Sequence, residues 1–251
     1  MGLSTNYVQR TVERETGTAI VTLDVNRHAT FVIPRPAAFD SLEMKDDLLT
    51  QLGELEADWL YFGTLSQMNE ANLQLLEKMF KLMPRIRGFY DINLREGHWN
   101  LPLVEHLASL ATVVKLNDVE AEILFGLLFP TETFSLENFC LAWSARFRLS
   151  LLCVTLGDRG CAVFRDGKLQ EFAGIPVHVA DTVGAGDAFA AGLLHAISQP
   201  WSLELQATFA NGLGALVASL PGATPDWTLA DCERLIATSY PTVDFLARSE
   251  A

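Results

Sequence analysis

The sequence predicts an α/β protein, a mainly parallel sheet covered by helices. Three observations carry this. From about residue 58 onward, strand-like runs alternate with helical stretches, the order that builds a parallel sheet. The run at 150–157 is continuously apolar, as in a strand buried on both faces. Between 179 and 195 a glycine turn leads straight into a small-residue helix. The 251 residues suffice for one large domain with a sizeable core, so 1–251 is expected to form a single domain. No internal repeat, low-complexity tract or linker interrupts it.

Residues 1–16 are polar and form a lead-in. Two β-rich runs, 18–24 and 29–33, flank Val25, Asn26, Arg27 and His28, which predicts a hairpin within 17–34 with His28 solvated at its turn. Two edge strands of the main sheet are the other arrangement these runs allow. The 58–63 run is a strand. Asn69 caps a helix whose Leu73, Leu76, Phe80 and Met83 share one face and which Pro84 ends. A strand and exit loop follow at 87–95, a strand at 112–117, and a helix from about Val119. After the apolar strand, Asp166-Gly167 marks a two-residue hairpin turn. Helices are expected at 203–219 and 229–238.

Formal net charge is −13, which argues against a nucleic-acid partner, since that calls for a basic face. No apolar run reaches the ~18 residues needed to span a membrane. Cys140, Cys153, Cys161 and Cys232 form no C-x-x-C pair and read as reduced, small apolar residues. A cytoplasmic location is the expectation. The spacing of His98, His106, His178 and His195 is not that of a metal site.

The glycine turn carries the chemistry. Gly184 and Gly186 free the backbone, and Asp187 stands where a helix begins. A helix start offers unpaired N–H groups and the positive end of the dipole. Donors for negative charge beside a carboxylate base are what phosphoryl transfer to an alcohol needs. The bland alternative is a structural turn with Asp187 as cap. A dinucleotide fingerprint fails, because Phe189 holds its third glycine position and the motif lies late in the chain.

The run Asp181-Thr182-Val183-Gly184-Ala185-Gly186-Asp187 resembles the C-terminal signature of the ribokinase-like (PfkB) carbohydrate kinases. The resemblance implies a ribokinase-like three-layer α/β/α core with a small β-hairpin lid, here 17–34, which would also carry a homodimer contact. It implies an ATP-dependent kinase with Asp187 as base and Gly184, Ala185 and Gly186 forming an anion hole with it. Three strand-end clusters extend it. Asp91-x-Asn93-x-Arg95, with Trp99, resembles the substrate loop of fructokinase-like members, and Pro34 to Asp40 resembles the segment leaving the lid. Lys115-x-Asn117-x-x-Glu120 resembles the family's Asn-x-x-Glu motif, linked to magnesium and phosphate, and Asn117 with Glu120 also reads as a capping box. Thr155-x-Gly157-x-x-Gly160 resembles the loop along the nucleotide, and Asn211 matches a position near adenine, where packing is an equal reading. The Asp181 carbonyl and the segment after Ser219 resemble the monovalent-cation loop of some members, implying K+ beside ATP and Mg2+.

The family's usual opening βαβ-type segment, with its sugar-holding Asp, Gly-Gly and Asn, has no counterpart before Thr18. The expectation is that such a segment is missing, through a downstream start, an incomplete form or a natural short paralogue. Sugar kinase, fructokinase-like, is the leading function. A catalytically weak nucleotide-binding or regulatory paralogue is the alternative, and 2-keto-3-deoxygluconate, ribose or a nucleoside are alternative acceptors.

Overall fold

The structure is a computed structural model and describes residues 4–23 and 29–240. The predicted turn at Val25 to His28 lies outside the described residues. The chain divides into two compact units, 1–112 and 113–251.

In the first unit, β1 (Ile20–Leu23) and β2 (Ala29–Val32) pair antiparallel in a separate two-stranded sheet, with Ile20 opposite Val32. This is the predicted hairpin rather than an edge of the main sheet. Helix α1 (Asp46–Glu54) precedes β3 (Trp59–Gly63), which runs parallel to β4 (Arg87–Asp91), with Trp59 opposite Arg87. The crossover is α2 (Glu70–Leu82), capped as predicted by the Asn69 carboxamide, which accepts from the N–H groups of Ala71 and Asn72. Helix α3 (Leu101–Leu110) is capped by Asn100. Phe62 stacks on Tyr90 at 5.2 Å and meets Phe80 edge-on at 5.7 Å, so strand and helix share one aromatic core. Asn72 is buried and donates to the Phe39 and Ser66 carbonyls while accepting from Leu42 N–H, which ties the 39–42 segment to α2.

In the second unit, β5 (Val113–Asn117) runs parallel to β6 (Leu151–Thr155), placing Lys115 opposite Cys153 and Asn117 opposite Thr155. Antiparallel β7 (Cys161–Arg165) and β8 (Lys168–Phe172) follow. Asp166 and Gly167 join them with φ of 51° and 76°, the positive pair that a type I′ turn requires. Helices α4 (Asp118–Leu128) and α5 (Leu136–Phe147) pack on β5 to β7. Helices α7 (Leu203–Ala218) and α8 (Leu229–Ser239) match the sequence expectation to within a residue, whereas α6 (Ala185–Ile197) starts two residues before Asp187, with Gly184 rather than Asp187 at its N-cap. A cluster of Phe209, Leu213, Leu216, Ala196, Cys232 and Ile236 joins α6, α7 and α8. All four cysteines are free and buried.

Candidate active site

The turn before α6 is built around Gly184. Its φ is +83°, and a Cβ there would lie 2.1 Å from the Ala223 carbonyl oxygen, so both conformation and space demand glycine. The Asp181 carboxylate accepts the Val183 N–H at 3.0 Å, and the Ala180 and Asp181 N–H groups both donate to the Ala218 carbonyl. The turn is thus clamped to the end of α7 and to the 218–223 segment. Ala218 and Ala223 were not legible as site-builders in the sequence; the only local signal was a glycine, Gly222, in a second left-handed turn with φ +87°.

The Ala185 N–H closes the turn on the Thr182 carbonyl at 3.2 Å, and the Ala188 N–H starts the helical ladder on Gly184. Among the described residues, the Gly186 and Asp187 N–H groups have no protein partner. Both residues are exposed, so two donors and one carboxylate open together to solvent at the positive end of a 13-residue helix.

Lys115 lies on β5 and is 7 % exposed. Its Nζ is 3.6 Å from where a Cβ on Gly186 would stand, so the ammonium borders the same turn. Burial pushes the Cys153 thiol up, as does the Cys161 thiol beside it, while the Lys115 charge acts in the opposite direction. Two residues on, Asn117 Oδ1 accepts the Glu120 N–H at 2.8 Å, and the buried Glu120 carboxylate accepts the Asn117 N–H at 2.9 Å. The capping box expected from the sequence is therefore formed.

Thr155 ends β6 beside Asn117 and donates weakly to the Leu116 carbonyl at 3.4 Å. Gly157 has φ +65° with open space where a side chain would be. Gly160, at φ +97°, has no such room: a Cβ would lie 2.2 Å from the Phe172 carbonyl. Its glycine is explained by the close approach of the 172–174 segment. Asn211 is buried on α7 and its amide donates to the Phe172 and Ala173 carbonyls at 3.3 and 3.1 Å, so it latches the same segment.

Asp91, Asn93 and Arg95 belong to the first unit and follow one another at the end of β4. Asp91 is buried and accepts from the Tyr61 hydroxyl at 3.0 Å. Asn93 adopts φ +45°, a left-handed turn that asparagine tolerates better than most residues. Tyr90 hydrogen-bonds Thr64 at 2.7 Å, and the Thr64 hydroxyl donates to the Ile92 carbonyl at 2.5 Å, which pins the strand exit. The His98 ring donates to the Ile33 carbonyl at 3.0 Å, joining the loop after Arg95 to the chain leaving β2. In that same stretch Arg35 pairs with Asp40, and Phe39 fills the space over Gly17. Phe39 therefore packs within the 15–40 region.

Among the described residues, no group of three His, Cys, Asp or Glu could hold a metal ion by itself, and no helix is long and apolar enough to cross a membrane.

Comparison with known proteins gives a consistent picture. A family model described as pfkB family carbohydrate kinase matches residues 1–229. A fructokinase of Vibrio alginolyticus is 29% identical over 238 residues, spanning 88% of this chain and 73% of its own. The crystal structure of fructokinase from Vibrio cholerae O395, in its fructose-, ADP- and calcium-bound form, superposes with a TM-score of 0.72 at 28% identity, covering 87% of this chain and 73% of that one. A fructokinase of Xylella fastidiosa with bound ATP superposes with a TM-score of 0.77 at 23% identity, over 94% of this chain and 78% of that one. The fold is the ribokinase-like α/β/α arrangement with a mostly parallel sheet.

Proposed function

Because the chain belongs to the pfkB family of carbohydrate kinases, we propose that it transfers the γ-phosphate of ATP to a hydroxymethyl group of a sugar, with fructose as the acceptor. The observation that carries this reading is the opening of α6. There the Gly186 and Asp187 N–H groups and the Asp187 carboxylate stand together, exposed, on a turn that only glycine can make. The choice of fructose follows the relatives, a fructokinase of Vibrio alginolyticus and the fructose-bound enzyme of Vibrio cholerae.

In this reading Asp187 accepts the proton of the attacking hydroxyl. The N–H groups of the 184–187 turn hold the charge on the phosphoryl group in transit. Asp91, Asn93 and Arg95 serve the acceptor, with the Arg95 guanidinium suited to sugar or phosphate oxygens. Lys115, Asn117, Thr155, Gly157 and Gly160 line the nucleotide side, and Gly157 leaves room for a ligand where Gly160 does not.

The described residues fit a magnesium ion bound mainly through water and nucleotide phosphates, as one buried carboxylate, Glu120, stands in the first turn of α4 just after β5 and no all-protein cage exists among them. Bound there, magnesium would neutralise phosphate charge. A monovalent cation such as K+ would sit at the Asp181 carbonyl and the segment after Ser219. A homodimer through the β1–β2 hairpin is part of the same proposal.

The test is an ATP-dependent phosphorylation assay over fructose, 2-keto-3-deoxygluconate, ribose and nucleosides, with Asp187→Asn alongside. Turnover that favours fructose and falls by about 10²–10⁴-fold in the variant, with ATP affinity nearly unchanged, is expected. Full turnover in Asp187→Asn would remove the base. ATP binding without any turnover would favour the non-catalytic paralogue.

A further inference from the structure

We infer that His98 is a positioning residue: it couples the root of the β1–β2 hairpin to the turn that carries Arg95, so that a seated hairpin and an acceptor bound at that turn favour one another. The inference rests on the kinase reading, in which Arg95 serves the acceptor.

The loop between β4 and α3 is held from two sides. Its first half belongs to the sheet, where Asp91 accepts from the Tyr61 hydroxyl and the Ile92 carbonyl accepts from Thr64. Its second half is a tight turn. The His98 N–H donates to the Arg95 carbonyl at 2.9 Å, and Gly97 takes φ +75°, the positive value that the third place of a type II turn needs. A Cβ on Gly97 would meet nothing, so this glycine serves the turn alone. The His98 side chain then leaves the loop. Its Nε2 stands 3.0 Å from the Ile33 carbonyl oxygen, 65 positions back in the chain. A carbonyl only accepts, so Nε2 carries the proton.

Ile33 is the first residue beyond β2. Among the described residues the hairpin pairs with no strand of the main sheet, so its position is set at its root. There the Ala38 N–H donates to the Glu15 carbonyl at 2.8 Å, joining the chain that leaves the hairpin to the chain that enters it. Asp40 accepts the Ala37 N–H, and Asn72 donates to the Phe39 carbonyl. These bonds secure residues 37–40 whatever the strands do. The His98 bond lies nearer the strands, and of these contacts it is the one that ends on the acceptor loop.

Moving the hairpin so as to break this bond leaves a partly buried carbonyl without its donor and releases one tether of the 95–98 turn. Conversely, an acceptor that fixes Arg95 fixes the turn and presents Nε2 to Ile33. Such coupling is reciprocal: the factor by which a seated hairpin tightens the acceptor equals the factor by which the acceptor seats the hairpin.

The experiment uses the full chain, with amide hydrogen exchange beside steady-state turnover. His98→Leu removes the donor. His98→Asn falls short of Ile33 but stays polar, should leucine disturb folding. His98→Gln places an amide N–H near the position of Nε2. Without any substrate, exchange in residues 29–33 and in 94–98 should speed up together by about 3–10-fold in the leucine and asparagine variants, while that of α7 holds. The sugar KM should rise by a similar factor, with kcat and the ATP KM within about twofold of wild type, and glutamine should restore both readouts. Exchange that changes in one segment alone overturns the inference, as does an unchanged sugar KM in a chain that turns sugar over. A loss that glutamine does not restore, or that spreads to α7, marks a structural role and overturns it too. Paired, glutamine-restored exchange in a chain that phosphorylates no sugar supports the coupling while sinking the kinase reading.

Discussion

At the scale of single residues, the anion turn separates glycines that the backbone requires from glycines that a ligand would require. Gly184 and Gly157 both have positive φ, yet only Gly184 faces a carbonyl that a Cβ would strike. Gly184→Ala should therefore cost about 3 kcal/mol or more in urea denaturation, strain and clash together, and abolish turnover. Gly157→Ala should cost only about 1 kcal/mol, and any larger loss of ATP affinity would report on what approaches it from solvent. This difference could not be read from the sequence. The two motifs show their four glycines alike, and the atoms that distinguish them, Ala223 and the 172–174 segment, come from distant positions.

At the scale of elements, local rules were enough where the partners are local. The Asn69 cap, the Asn117–Glu120 box and the Asp166-Gly167 turn each involve residues within four positions, and each was legible. What was not legible spans the chain: Asn72 reaching back to Phe39, Tyr61 reaching forward to Asp91, Asn211 holding Phe172. These are buried polar bonds whose partners are fixed by packing rather than by periodicity. Helices α3 and α5 were implied only by the strand–helix alternation, and α1, which lies before it, was not predicted. Glu120 shows both sides of the problem, because one carboxylate serves the cap and is the metal candidate. Glu120→Gln keeps an acceptor for the Asn117 N–H, so the denaturation midpoint should change by less than about 1 kcal/mol. If Glu120 acts on magnesium, the same variant should need more magnesium for half-maximal turnover. A magnesium titration unchanged from wild type would leave it a cap alone.

At the scale of the molecule, the charge and thiol inventories set its response to solution conditions. Burial pushes the Cys140 and Cys232 thiols up to about 12. An unfolded thiol ionises near about 8.5, so between those values the unfolded chain gives up protons that the folded chain keeps. Stability from this source is complete below the lower value and is lost as pH rises through the window. Urea midpoints measured from pH 7 to 10.5 should fall above about pH 9, and the fall should be shallower in Cys140→Ala and Cys232→Ala, each compared with its own neutral-pH value. The seam between α6 and α7 bears on something else, how this chain can vary. A Cβ at Gly192 would come to 3.2 Å from the Ala210 backbone, and one at Gly214 to 3.3 Å from the Ala185 carbonyl. Both residues are buried in the seam, and Gly214 sets how closely Ala185, and with it the turn, approaches α7. In sequence space these two silent positions are thus narrowed, because any side chain placed there must push α6 and α7 apart by a few tenths of an ångström.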